Sequence, residues 1–554
     1  MKLRIAAAFV LCASALWGAD AVYDAMQAEL ARSMTLSLKN LEKPYFISYA
    51  IDDGMAWTAS AFEGGLVNTR ASKFRTPEVQ VRVGDYEFDN TNGGPSRGRG
   101  ASYDLTGFPL DDDPLVIRHY LWLETDSAYK GAVQSIAQKR ASRRSVNVTD
   151  HLADFAKAKP FTLSEDRPLI SFDNKTWNER IRRVSAIFGE FPNLRDSAVT
   201  YSVLDGVHRY VNSEGTRVRQ MQTEIRIQLA ANIQAPDGML LRDTESFYRH
   251  DVNQMPSEDQ LSKTVRTLAD QLTTLAAAPI GEDYSGPILF EGTASAQLMA
   301  DLLGRNLHVA RPSPGGGAFG RGGRGGPPAR GGATELQGRR GVRIMPDMFT
   351  VVDDPTSAGF GHNEVDNEGV PSLPVTLVEK GVLKDFLRTR LPVQGFDESN
   401  GRAMMGNSPA PTNLVISSAE KSGLTEMKQK MIDLCKQRSL KYGVVVRKLD
   451  FPTGGGPFGA GGISPPLYVY RLYTDGHEEM IRGVRLRSVD ARSLKDILLA
   501  GDDMTTVDYV EGGSADVSVR APSVLIDDLE LEKVNDTLPK LPSTPSPLVA
   551  NTGR

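Results

Sequence analysis

The sequence predicts an α+β protein in which one or two mixed α/β domains at the N-terminal end precede a β-rich C-terminal domain. Three observations carry this. Segments of helical and strand periodicity alternate up to about residue 285 with no regular βαβ repeat. From Gly286 onward strand-like alternation dominates, interrupted by the helix TEMKQKMIDLCKQR. The chain has 554 residues, 40% of them hydrophobic and 24% charged, which is enough apolar material for several cores.

The first residues have the layout of a secretory signal peptide. Lys2 and Arg4 precede an apolar run from Ile5 to Leu16, and Ala19-Asp20-Ala21 offers the small residues of a cleavage site. The run is short for a membrane span, and no second stretch of comparable apolarity follows. Residues 1–21 are therefore expected to be removed and the protein exported, either periplasmic or secreted. Cys12 leaves with this segment. Cys435 then remains as a single thiol, which excludes a disulfide within the chain and a thiolate-rich zinc site. A formal net charge of -5 gives no general attraction to nucleic acid or acidic membranes.

Residues 22–150 form the first predicted domain. Met26, Leu30, Met34 and Leu38 recur every four residues and predict a helix between Val22 and Lys43. The strand-like segments PYFISYAID, AWTASAFEGGLVNTR and VQVRVGDYEFD follow, the last alternating from Val79 to Asp89. YLWLETDSAYKGAVQSIAQKRA predicts a long helix whose basic end suits the helix dipole. Residues 151–285 repeat the style. TWNERIRRVSAIFGEF predicts a helix, and AVTYSVLDGVHRYVNSEG a hairpin turning at Asp205-Gly206. TRVRQMQTEIRIQLAANIQ predicts a strand, and MPSEDQLSKTVRTLADQLTTLAAAP a helix with Ser257 as its N-cap.

Residues 286–540 are the β-rich part. DMFTVVDD, PVTLVEKGVLKDFLRTR, NLVISS, YGVVVRKLD, LYVYRLYTDGHEEMIRGVRLRSV and DVSVRAPSVLIDDLELEK predict strands or hairpins. The helix TEMKQKMIDLCKQR interrupts them and puts Met431, Leu434 and Cys435 on one face, which predicts a buried structural cysteine. Three glycine-rich segments, the longest at 312–343, lack the composition for a core and are expected to be surface insertions. The longest has the Arg-Gly character of RNA-binding tails, but a single Phe provides too little stacking surface for that role. Residues 541–554 predict a disordered tail.

The usual catalytic signatures are missing from the sequence. It has no Walker loop, no HExxH and no paired C-x-x-C. Its seven histidines, His119, His151, His208, His250, His308, His362 and His477, are scattered. One stretch, GHNEVDNEG, places His362, Glu364, Asp366 and Glu368 at alternate positions, where a strand would turn all four the same way. Two readings stay open. The four could hold a divalent metal, or they could form a solvated strand face running into a turn at Glu368-Gly369.

Several motifs resemble those of the TldD/PmbA family of metalloproteases, once described as modulators of DNA gyrase. VVDDPT, VDNEGVP and TLVEKGVLKDFL follow one another over some forty residues, then APTNLVI (Ala410 to Ile416) and SVRAPSVLIDDLELE near the end. A weaker likeness covers the N-terminal helix and strands. In catalytic members an HExxxH helix supplies two histidine ligands and a glutamate base, and a later cysteine completes the metal site. The resemblance places that motif on LMADLLGRNL, so Ala300 stands at the first histidine, Asp301 at the glutamate and Arg305 at the second histidine. Gly304 remains. On an ideal helix the two ligand positions lie about 140° apart, so the helix must deform to bring them together. Ala300 offers no lone pair and Arg305 only donors and a permanent positive charge. The region GDDMTTVDYVEGGSAD, where the family cysteine is expected, contains none.

The resemblance therefore implies the non-catalytic TldE (PmbA) branch. Such a chain is expected to hold no metal itself and to pair with a zinc-bearing TldD-like subunit, or with a second copy of itself, to act on peptides. Two alternatives accompany it: an active hydrolase with a relocated site at His362 and Glu364, and a non-proteolytic homodimer that binds peptides.

Overall fold

The computed structural model describes residues 20–39, 41–92, 107–145, 152–309, 311, 334–406, 408–451 and 463–534. The expected leader up to Ala19, the 541–554 tail and most of each glycine-rich segment lie outside the described residues.

The N-terminal half is built on one long antiparallel sheet. Its strands are β1 (Pro44–Phe62), β2 (Gly65–Val83), β3 (Thr162–Ser164), β4 (Leu194–Asn212), β5 (Arg217–Gln234) and β6 (Leu240–Arg249). Their order is β2-β1-β4-β5-β3, with β6 also on β5 and β3 its parallel neighbour. Helices α1 (Ala21–Ser33), α2 (Pro114–Ser145), α3 (Asn174–Ala186) and α4 (Glu258–Ala277) cover one face. Alternation explains how. Ile47, Tyr49 and Ile51 pack with α1 and α2, while Trp57, Ala59 and Ala61, on the same side of β1, pack with α3 and α4. Ser257 caps α4 through a capping box with Gln260.

Three local expectations change here. β1 pairs with β4 from Ser48 to Ala61, so the regions 22–150 and 151–285 share a single sheet and a division near residue 150 falls inside it. β4 runs unbroken through Asp205-Gly206, where the sequence predicts a hairpin turn. Gly206 is there because it faces Gly54 across the ladder: a Cβ on Gly54 would sit 2.2 Å from the Asp205 carbonyl oxygen. Asp205 accepts hydrogen bonds from the Ile170 N–H at 2.6 Å and from Arg167 at 2.8 Å. Asp20 and Ala21, which the sequence places in the leader, belong to the fold. Asp20 caps α1 by accepting from the Tyr23 N–H at 3.0 Å and pairs with Arg209 at 2.8 Å and Arg219 at 3.1 Å.

The C-terminal half encloses its core between two sheets. One contains β8 (Phe349–Asp353), β9 (Val375–Glu379), β10 (Val382–Leu383), β13 (Asn413–Ser418), β19 (Thr505–Glu511) and β20 (Ala515–Ala521), in the order β10-β9-β8-β13-β20-β19. The other runs β16-β15-β14-β7-β21-β17, with β18 on β21. Its strands are β7 (Tyr284–Phe290), β14 (Tyr442–Leu449), β15 (Pro466–Tyr473), β16 (Glu478–Ile481), β17 (Val484–Arg487), β18 (Ile497–Ala500) and β21 (Val524–Lys533). A small ribbon pairs β11 (Ala403–Met405) with β12 (Ser408–Pro409). Ile288, Phe290, Val444 and Val446 point into the core, and the intervening Leu289 and Val445 meet α6 (Leu424–Gln437) on the outside. Cys435 of α6 is fully buried there, and burial pushes its thiol up to about 11.

Arg390, whose side chain is fully buried, is one of several residues that join the halves. Its Nε and one terminal nitrogen donate to the Ala156 carbonyl oxygen at 2.9 and 2.7 Å, and the latter nitrogen also donates to Glu214 at 2.7 Å. The guanidinium lies 3.9 Å from the Phe155 ring centre, and Arg82 lies 3.6 Å from the same ring. Replacing Arg390 by Ala removes the charge partner of the largely buried Glu214, leaving it only the Tyr86 hydroxyl, and is expected to cost about 3–5 kcal/mol. Urea denaturation followed by tryptophan fluorescence measures it, and R390K should recover only part because an ammonium cannot make the forked contact.

Candidate functional site

The helix singled out by the sequence begins directly after β7. Helix α5 spans Thr293–Met299 and is buried over most of its surface. Its polar side chains anchor it to neighbouring strands. Ser295 Oγ donates to the Pro522 carbonyl oxygen at 2.6 Å, and Gln297 Oε1 accepts from the Leu449 N–H at 2.8 Å.

From Ala300 to Gly304 the helix widens into a π turn. This supplies the deformation that the ligand spacing demands. In a π turn residues five apart stack along the axis, so positions 300 and 305 approach one face instead of diverging as on an α-helix. Gly304 fits the crowding: a Cβ there would lie 3.3 Å from the Tyr509 hydroxyl and 3.8 Å from Pro411. β19, which carries the segment where the resemblance expects a cysteine, does come to this turn. It brings Tyr509, whose ring packs edge-on against Phe451 at 5.1 Å.

The chemistry at the turn differs from a metal centre. Ala300 is buried and contributes a methyl group. Asp301 accepts from the Ser464 N–H at 2.7 Å through one oxygen, and its other oxygen lies 3.3 Å from Arg305. Burial pushes Asp301 up to about 6, opposed by the Arg305 charge and the Ser464 N–H. Burial, with the charges of Glu511 and Asp301, raises Tyr509 far above the usual phenol range and keeps it neutral. His308, three residues past Arg305, is pushed down to about 4 by burial and is a neutral imidazole. A methyl group and a guanidinium at the two helix positions do not fit a divalent cation. Sequence reasoning missed Tyr509 and Ser464, which reach the turn from distant strands and loops and carry no local signal.

The second candidate takes a different form from the strand the sequence predicts. Residues 362–368 form a turn-rich loop in which His362 and Glu364 are exposed while Asp366 and Glu368 are buried. The four therefore do not share a face. Asp366 bends the chain itself: one oxygen accepts the N–H groups of Glu368 at 3.0 Å and Val370 at 2.9 Å, the other that of Ala403 at 3.0 Å. Glu368 accepts the Arg390 N–H at 2.7 Å. Burial raises both carboxyls above the usual range, and the Asp366 charge raises Glu368 further. Among the described residues no three His, Cys, Asp or Glu side chains gather as metal ligands. Asp353 of VVDDPT is likewise internal, paired with the fully buried Arg402 and accepting from the Thr412 N–H at 2.9 Å.

The raised Asp301 carboxyl has a measurable consequence. The folded chain holds that proton more tightly than the unfolded chain, so its stabilising contribution is complete below the ordinary carboxylate range and is lost as pH rises through about 6. Thermal melts of the parent protein and D301N from about pH 4 to about pH 8 should show a shallower decline in Tm for the variant.

Comparison with known proteins places this geometry. Residues 323–533 match the family model described as the PmbA/TldA metallopeptidase C-terminal domain. A metalloprotease of Methanothermobacter thermautotrophicus is 26% identical over 233 residues, 38% of this chain and 44% of that one. A metalloprotease of Archaeoglobus fulgidus is 44% identical over 59 residues, 11% of this chain and 14% of that one. The chain thus aligns with less than half the length of these curated relatives. TldE from Thermococcus kodakarensis has a similar fold, with a TM-score of 0.57 and 13% identity, covering 92% of this chain and 100% of that one. A candidate modulator of a DNA gyrase from Thermotoga maritima gives a TM-score of 0.57 and 14% identity over 88% of this chain and 96% of that one. Residues 323–533 thus carry the C-terminal domain of the PmbA/TldD metallopeptidase family, and the architecture as a whole is similar in fold to TldE and to that modulator.

Proposed function

We propose that this chain is an exported, non-catalytic subunit of the TldE (PmbA) kind, which completes a peptide-degrading assembly with a metal-bearing TldD-like partner. The π turn carries the reading. It retains the backbone that converges two side chains, yet presents Ala300 and Arg305 there, with Asp301 paired to Arg305 and to the Ser464 N–H. Zinc, a general base and peptide hydrolysis belong in this reading to the partner. The likeness to TldE supports it at the level of fold. Export rests on the leader, and cleavage before Asp20 would keep the residue that caps α1.

The test uses the mature chain, alone and co-expressed with a signal-bearing relative that has an intact HExxxH. Alone it should bind no stoichiometric zinc and hydrolyse no unfolded peptide. With the relative it should elute as a mixed complex with chelator-sensitive activity. Stoichiometric zinc and hydrolysis by the isolated chain would refute the reading, and self-association without uptake of the relative would favour a homodimer. N-terminal sequencing of exported protein locates the cleavage.

A further inference from the structure

The halves also meet where β6 ends, and the chemistry there differs from that at Arg390. The β5–β6 ladder stops at the Ile225–Arg249 pair, and the next residue, His250, continues the connection with its side chain. Its Nδ1 lies 2.5 Å from the Thr223 carbonyl oxygen of β5, and its Nε2 lies 2.8 Å from the carbonyl oxygen of Phe360, in the loop that follows β8. The imidazole stacks on the Phe360 ring at 5.0 Å, and Phe360 packs with Tyr248 and Val510 in a small buried cluster. Carbonyl oxygens only accept. An imidazolium donates to both, whereas a neutral imidazole has one N–H and turns a lone pair toward the other oxygen.

Charged groups surround this bridge from both halves. Glu224 and Arg226 come from β5 and Arg249 from β6, while Asp508 and Asp516 come from β19 and β20. Asp516 lies 4.0 Å from His250 Nε2, Arg249 pairs with Asp508 at 3.2 Å, and Ser518 Oγ donates to Asp508 at 2.6 Å. Arg226 donates to Gln228 at 3.1 Å, Asp251 accepts from the Asn253 N–H at 2.9 Å, and His362 of the Phe360 loop is exposed. Burial raises Glu224 and Asp508 above the usual carboxylate range. It raises Asp516 well above that range, and the charges of Glu224 and Asp508 raise it further. The side chains of His250 and Asp516 are 37% and 30% exposed, so protons from solvent reach the bridge.

We propose that His250 is a pH-sensitive latch that ties the first sheet to the Phe360 loop, closed when the imidazole carries two protons and released when it gives one up. The sign follows from the hydrogen bonds. The closed form uses a proton that the released form does not need, so acid favours closure and closure is lost as pH rises. The three carboxyls act in the same direction, because the closed contact holds their protons more firmly than water does. Histidine is the side chain whose charge ordinarily changes between about pH 5 and about pH 8, which sets the working range of the latch. The Arg390 guanidinium keeps its charge throughout that range, so release frees the Phe360 loop while the contact at Ala156 and Glu214 persists. The latch operates whether or not the chain pairs with a metal-bearing subunit.

Hydrogen–deuterium exchange of the full mature chain tests this at about pH 5.5 and about pH 8, read by mass spectrometry and corrected for the intrinsic pH dependence of exchange. The reporters are the Gly361 and Asn363 amides, held inside the loop by Asn413 Oδ1 at 3.1 Å and by the Pro355 carbonyl oxygen at 3.0 Å. Their protection should fall about tenfold from the lower pH to the higher, the scale of one charge-assisted hydrogen bond. H250Q has no titrating proton and can serve only one of the two carbonyls. Its protection should stay, at both pH values, near that of the parent at the higher one. H250R, charged at both, should also lose most of the pH dependence. Amides of α6, on the outer face of the second sheet, should exchange alike in all three chains and show that the fold is kept. Equal protection in the parent at the two pH values, or an undiminished pH dependence in H250Q or H250R, would overturn the proposal.

Discussion

The architecture turns on one buried guanidinium. A charge taken out of water needs partners, and the Arg390 side chain, reaching from the C-terminal half, finds them in the N-terminal half. Its side chain holds the carbonyl of Ala156 and the carboxylate of Glu214, and its own N–H holds Glu368. The Ala156 N–H returns a bond to the Arg390 carbonyl oxygen at 2.8 Å. Phe155 is caught between Arg390 and Arg82. The first sheet, the segment after α2 and the loop carrying VDNEG therefore meet at a single residue, through its side chain and its main chain.

The same economy explains the acidic motifs. Carboxylates that look like candidate ligands in sequence act here as acceptors for main-chain N–H groups that no strand or helix satisfies. Asp366 gathers three such groups, and Asp353 holds Thr412 and Arg402. Their spacing reflects how loops are folded between strands.

Much of the fold was legible because periodicity records burial directly. The alternation in β5, the Met26–Leu30 spacing in α1 and the Ser257–Gln260 cap correspond to observed structure, whereas α1 stops at Ser33 and leaves Leu38 exposed beyond it. What was illegible shares a cause. Asp205-Gly206 carries the composition of a turn, but that glycine answers to Gly54 about 150 residues away, and sequence cannot distinguish a tight bend from a tight crossing. His362 to Glu368 alternate like a strand because a residue that folds a loop onto its own N–H groups can recur at the same interval. At the candidate site, Ala300 and Arg305 were identifiable only against a family motif. Ser464, 163 residues from Asp301, could not be reached by any local pattern.

The π turn at Ala300–Gly304 separates backbone from chemistry. Its shape is held by the anchors of α5, by Gly304 beneath Tyr509 and by the buried Leu302 and Leu303, none of which is a ligand position. The side chains at 300 and 305 can therefore change without the scaffold being redrawn, and substitution alone is a route by which the chemistry at this turn can vary. A deletion within the turn would behave differently: it would restore regular helix, rotate everything downstream by about 100°, and close that route.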